Sequence, residues 1–281
     1  MERGFADSEF EVRCARAQAM MVEADIAALL LTTEVELRYF SGFLTQFWQS
    51  PTRPWFLILP QAGKPVAVIP EIGVECMSRT WLDDIRTWSS PNPYDDGVSL
   101  VIDALREAVG DGPCFGISMG AETHIRMPLL DFEKVTRTLA LEIADATPIL
   151  RKLRMIKSEA EIDKIGHICG IASDVFEAMP DWLSVGMPLN EVFRRFKIDA
   201  LERGADDVSY LVGGAGLGGY SDIISPPTET PLAAGDVLVL DTGSAYDGYF
   251  SDFDRNFAIG YADDASRRAY ETVYAATEAG L

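Results

Sequence analysis

Two aspartates, Asp241 and Asp252, stand on either side of an Asp247-Gly248 pair, each beside an apolar run. Asp-Gly between such runs is a hairpin signal, so the flanking segments are predicted to run antiparallel and adjacent. In that ribbon the two carboxylates sit nearly opposite each other, and on a shared face their side chains converge. Facing carboxylates repel, and near strand interiors both are costly to desolvate. A divalent cation between them removes both penalties, and oxygen donors suit hard or borderline ions such as Mn²⁺, Co²⁺, Zn²⁺ or Fe²⁺. A competing reading makes Asp247, Asp252 and Asp254 solvated turn and edge residues with Arg255 as their counter-ion. Spacing alone leaves both open.

Other reactive residue types are less informative. Gly214, Gly216 and Gly219 form a G-x-G-x-x-G after a strand-like run. A dinucleotide site needs a helix to open at once, so that its N-terminal N–H groups meet the pyrophosphate. Here Tyr220 to Ser225 and then Pro226-Pro227 follow, and the prolines forbid a regular helix. A flexible loop is expected instead, where backbone passes close to a ligand or to another strand. Cys14, Cys76, Cys114 and Cys169 are far apart with no C-x-x-C pair, and are read as buried or half-buried thiols. The two histidines, His124 and His167, are read as surface or satisfied core residues.

The elements that must position these residues fall into two patterns. Up to about residue 147, helical and extended periodicities alternate: a helix over 12–22, a strand over 26–31, a hairpin from 55–59 and 66–69, helices over 98–109 and 129–139, and a strand over 114–117. That is an α/β domain with a mixed sheet. A boundary is expected near 148–157, where a basic stretch interrupts an acidic chain. Ser158 with Glu161 has the capping-box form and opens a long helix, with Ile162, Ile165, Ile168, Ile171, Val175 and Met179 as its apolar stripe. A second helix is expected over 190–202, then strands over 208–212, 237–240 and 249–259, and a helix over 270–279.

Composition narrows the function. The chain has 281 residues with 48% hydrophobic and 24% charged content, which is ordinary globular usage. Its net charge of -20 repels phosphate backbones and anionic membrane surfaces, so no nucleic-acid or membrane partner is expected. No apolar run reaches the roughly 18 residues of a bilayer span, and the first residues lack a secretory apolar region, so a cytoplasmic location is expected.

The stretch DTGSAYDGYFSDFDRNFAIG from Asp241 to Gly260 resembles the D-x-G … Y-x-S-D-x-x-R segment of the pita-bread metallopeptidase superfamily, which includes Xaa-Pro aminopeptidases, prolidases and creatinase. Leu153-Arg154-Met155-Ile156-Lys157-Ser158, with Glu161-Ile162, is similar to the opening of its catalytic domain. Leu37-Arg38-Tyr39-Phe40-Ser41-Gly42-Phe43 is similar to a motif of its N-terminal domain. The resemblance implies an α/β creatinase-type N-terminal domain over residues 1–150 and an α+β pita-bread catalytic domain over 151–281, the latter only partly present through C-terminal truncation. It implies two divalent metal ions (Mn, Co, Zn or Fe) in the complete protein, with Asp241 binding one and Asp252 bridging both. Tyr249 and Arg255 are implied as supporting residues, Arg255 orienting a carboxylate.

The implied activity is that of an Xaa-Pro peptidase-like hydrolase, which cleaves a peptide or small amide substrate with a metal-activated water. A homodimer is expected, and Phe47, Trp48 and Trp55 are read either as bordering a substrate pocket across its interface or as ordinary packing and surface aromatics. The family completes its site with one His and two Glu well after the hairpin. Beyond Asp252 this chain has Glu271 and Glu278 but no histidine, so it is expected to be inactive as it stands. The catalytic histidine implied for the loop over residues 220–230 is also missing, and Ser221, Asp222 and Ser225 are equal substitutes, so no catalytic residue is assigned. A non-catalytic binding relative and a metal-free creatinase-like C–N hydrolase are the alternatives. Retention of both Asp241 and Asp252 counts against the latter.

Overall fold

The computed structural model describes residues 1–50 and 53–280 and separates into two compact units. One holds residues 4–157. The other joins residues 1–3 to the chain from Ser158 onward.

In the first unit α1 (Asp7–Glu23) leads through β1 (Ala28–Leu31) to α2 (Glu34–Ser41), and β2 (Phe56–Pro60) pairs with β3 (Val66–Pro70) as a hairpin. Then come α3 (Val74–Met77), β4 (Asp84–Trp88), α4 (Val98–Val109), β5 (Cys114–Ile117), α5 (Leu129–Leu139), β6 (Glu142–Asp145) and α6 (Thr147–Met155). The strands form one mixed sheet ordered β4-β3-β2-β1-β5-β6. Helices cover both faces, so alternate residues of each strand feed different cores. Leu29, Leu31, Leu57 and Leu59 pack with residues of α1, α2 and α6, whereas Ala28, Leu30, Phe56 and Ile58 pack with residues of α4 and α5.

Pro148 stands in the first turn of α6, where its missing N–H costs nothing, so the basic stretch continues as helix for most of its length. Ile149, Leu150 and Leu153 of that helix are buried in the first unit's core. The compact units accordingly divide between Lys157 and Ser158, not at 150/151.

The second unit opens with the capping box: Ser158 N donates to Glu161 Oε2 at 2.8 Å and Glu161 N to Ser158 Oγ at 3.3 Å. Its elements are α7 (Glu159–Trp182), α8 (Leu189–Glu202), β7 (Asp207–Leu217), β8 (Asp236–Tyr246), β9 (Tyr249–Phe250), β10 (Phe253–Ala258) and α9 (Asp264–Gly280). The antiparallel sheet runs β10-β8-β7, with β9 also pairing to β8. Ile168, Val175 and Met179 of α7, with Val192 and Phe196 of α8, pack on Val208, Leu238 and Leu240.

Two expectations are corrected. Gly213 to Gly216 are not loop: they lie inside β7 and pair with Leu240 to Val237 of β8. The apolar stripe of α7 also fails in its first turns, where Ile162 is 49% exposed while Glu161 and Lys164 are buried. The cause is the turn at Asp247 (φ +48°) and Gly248 (φ +77°), whose carboxylate takes Lys164 Nζ at 2.6 Å. Those two side chains are 4% and 10% exposed. Lys164 also donates to the carbonyl of Glu2 at 2.9 Å, and Tyr246 to that of Met1 at 2.7 Å. Arg3 pairs with Asp206 and lies 4.7 Å over the Tyr246 ring.

Breaking a buried ion pair leaves an uncompensated charge, whereas an exposed pair contributes little. Lys164→Met is therefore expected to cost about 3 kcal/mol in urea unfolding, and Arg3→Met less than about 1 kcal/mol. Equal losses would contradict this account of α7.

Candidate functional site

Residues opposite each other in antiparallel strands share a face, as do residues two apart along one strand. The two-residue turn at Asp247-Gly248 sets the register of β8 against β10: Asp241 faces Asp254, Val239 faces Asn256 and Thr242 faces Phe253. On the other side of β8, β7 places Val212 against Asp241, Gly214 against Val239 and Tyr210 against Gly243. Leu238 and Leu240 point to the helices, so Val239, Asp241 and Gly243 take the opposite face. That face carries Gly214, Val239 and Asn256 in one row and Val212, Asp241 and Asp254 in the next. Tyr210 and Gly243 form the third row, with Asp252 just before β10.

The direct cross-strand partner of Asp241 is thus Asp254, where the sequence spacing suggested Asp252. Asp252 joins the group through Tyr210, whose hydroxyl donates to Asp252 Oδ1 at 2.6 Å. The Tyr210 ring leans on the strand at Gly243, and a Cβ there would overlap it. The absent side chain is what lets the phenol cross β8.

Among the described residues, no cationic side chain pairs with Asp241, Asp252 or Asp254. The Asp241 carboxyl lies above its ordinary pKa, first because burial penalises its charge and then because Asp252 and Asp254 repel it, with the Tyr210 hydroxyl partly offsetting both. Tyr210 is raised by burial, by its bond to Asp252 and by the neighbouring negative charges, so it remains a donor at neutral pH. Carboxylate oxygens are the donors a hard or borderline divalent ion takes. Among the described residues, however, no group of three or more His, Cys, Asp or Glu is arranged to hold an ion. Donor chemistry fits a metal, and the number of ligands falls short.

The other expected site residues lie elsewhere. Tyr249 donates to Glu161 Oε1 at 3.0 Å and so buttresses the start of α7. Arg255 is on the helix side of β10, 5.0 Å over the Phe253 ring and 5.8 Å over that of Phe176, and donates to the carbonyl of Asp254. It points to the face opposite Asp241 and Asp254, because neighbours along a strand alternate, and among the described residues it is not seen to pair with a carboxylate. His167 meets Tyr246 edge-on at 4.6 Å, and His124 lines a crevice of the first unit with Glu36 and Ser118.

Glu271 and Glu278 sit on α9, which has no buried residue. In the first unit Trp48 and Trp55 are buried with rings 5.9 Å apart, while Phe47 is exposed. Of the three loop candidates, Asp222 is occupied with the N–H groups of Ile224 and Ser225. Tyr210 was missed by the sequence reading. Only the β7–β8 register, which spacing does not give, brings it to Asp252.

A carboxyl whose pKa is raised by folding costs stability above the raised value, and the cost disappears as pH falls to the unfolded value near 4. Asp241→Asn is therefore expected to be no less stable than the parent at pH 7 in guanidinium unfolding, and to lose any advantage by about pH 3.5. A variant clearly less stable at pH 7 would show that a cation already balances the face.

The sequence profile of the creatinase/prolidase N-terminal domain matches residues 13–156, and that of metallopeptidase family M24 matches residues 163–281. A probable dipeptidase PepE from Mycobacterium bovis is 26% identical over 284 aligned residues, which cover 99% of this chain and 72% of the relative. The Xaa-Pro dipeptidase of Pyrococcus horikoshii is 26% identical over 162 residues, covering 56% of this chain and 44% of its own. Among solved structures, the dipeptidase PepE of Mycobacterium ulcerans superposes with a TM-score of 0.77 at 25% identity, over 95% of this chain and 69% of that one. A recombinant prolidase from Thermococcus sibiricus gives 0.82 at 23% identity, over 96% and 71%. With both profiles matched in order and the fold shared, the chain belongs to the pita-bread metallopeptidases of family M24, with a creatinase-type N-terminal domain and part of the catalytic domain.

Proposed function

We propose that this chain carries the first half of a metal-dependent hydrolase site of the Xaa-Pro dipeptidase type. The observation that carries the reading is the single face on which Asp241, Asp252 and Asp254 converge with no cationic side chain among them. The relatives' names, dipeptidase and Xaa-Pro dipeptidase, support a peptide substrate. Two divalent ions, when bound by Asp241 and Asp252 with further ligands, supply a water of lowered pKa and a polarised carbonyl. The chain's own contribution is positional. Tyr210 fixes the Asp252 carboxylate by donating to it, and the packing of α7 and α8 beneath β8 keeps Asp241 from moving.

A second reading, a binding relative that keeps the fold without catalysis, is favoured by one observation. Residues 220–230 contain no histidine to stabilise an intermediate.

Two or three carboxylates leave each ion mostly hydrated, so Mn²⁺ is expected to bind the 281-residue chain more weakly than about 1 μM in titration calorimetry. Sub-micromolar binding would show a ligand set larger than these aspartates. The two readings separate on Ala-Pro in the complete protein: Mn²⁺-dependent release of proline supports the hydrolase, and binding of the dipeptide without release supports the binder.

A further inference from the structure

The glycines of β7 and the loop that follows have no part in holding a metal, yet they shape the same face. Gly214 and Gly216 are two apart and share the face of Asp241. A Cβ on Gly214 would overlap the carbonyl of Asp222 and lie 3.6 Å from Tyr220 Cβ, and one on Gly216 would overlap the carbonyl of Gly219. The chain after β7 therefore folds back over its own strand, where only glycine leaves room. Gly213 N fastens it by donating to the Ile223 carbonyl at 2.8 Å. From its place above Gly214 the side chain of Tyr220 crosses β8 to β10, and its hydroxyl donates to Asn256 Oδ1 at 2.8 Å. Val239, in the row beneath, is only 4% exposed although it points away from the helices.

Tyr210 makes the corresponding bridge to Asp252 across Gly243, one row beyond Asp241. Two phenols thus bracket a slot one cross-strand row wide, and Asp241 and Asp254 are its floor. At the Asn256 end the slot has different chemistry. Because the Tyr220 O–H takes the carboxamide oxygen, the amide nitrogen is the end left to donate.

We propose that Tyr220 and Asn256 form a substrate-recognition pair, in which Asn256 Nδ2 donates to the carbonyl oxygen of a peptide lying along β8. Tyr220 is its positioning residue, and Asp254, which is not used to hold an ion, attracts the peptide's amino group. This deepens the hydrolase reading and rests on it for the choice of a peptide. It also gives the histidine-free loop a role, since the loop's contribution is a phenol that sets a carboxamide.

The test is titration of the 281-residue chain, with Mn²⁺ present, against millimolar Ala-Pro, followed by heteronuclear NMR. Tyr220→Phe, which keeps the ring, and Asn256→Ala are each expected to weaken binding roughly threefold to tenfold. The double variant should be little worse than either single one, because the two residues act as a unit. Hydrogen exchange over residues 218–225 serves as the structural control: faster exchange in Tyr220→Phe with unchanged affinity makes the bond merely a loop tether and overturns the proposal. Equal binding by wild type and both variants overturns the recognition pair alone. No binding of Ala-Pro by the wild type overturns the pair, and absence of proline release by the complete protein overturns the hydrolase reading.

Discussion

The register between β8 and β10 is the constraint on which the second unit depends. A strand has period two, so a slip of one residue would turn Asp241 into the helix-packed core and Leu240 out to solvent. What prevents the slip is small: a two-residue turn in which Asp247 and Gly248 both take positive φ, the geometry whose twist matches the strands it joins. The turn is in turn pinned by a lysine on α7, so the helix that fills the apolar side of the sheet also fixes the alignment of its acidic side.

The sheet is consequently chemically divided. Below it Leu238, Leu240 and the side chains of α7 and α8 form a continuous apolar core. Above it lie carboxylates, two phenols and a carboxamide. Glycine is used on the polar side for lack of bulk: Gly243 admits the Tyr210 ring, and Gly214 admits the folded-back loop. The polar groups on this side are therefore held by backbone and ring contacts, a firmer support than flexible charged side chains give.

Much of this was legible in the sequence, and the failures have physical causes. The capping box at Ser158 and the Asp247-Gly248 hairpin were readable because each depends on residues a few positions apart. The strand through Gly213–Gly216 was not, because glycine weakens strand propensity and only pairing with β8 holds the segment extended. Ile162 was assigned to a core face that Lys164 takes instead, since periodicity cannot foresee a buried ion pair formed with a residue 83 positions away. Spacing put Asp252 nearly opposite Asp241, and it lies diagonally across on the same face, but spacing did not single out Asp254 as the direct partner because the ladder is counted from the turn outward. Arg255, one position from Asp254, went to the other face by the same alternation.

Residues 1–3 belong to the unit formed by the chain from Ser158 onward, although the whole α/β unit separates them in sequence. During ribosomal synthesis the segment 4–157 can complete its own two cores before α7 exists. The first three residues then have to wait for Lys164, Asp206 and Tyr246 to emerge. The second unit is thus discontinuous, and vectorial translation makes its first segment wait for its second. A peptide fused ahead of Met1 would project from the aspartate-bearing unit and not from the α/β unit whose sequence it precedes.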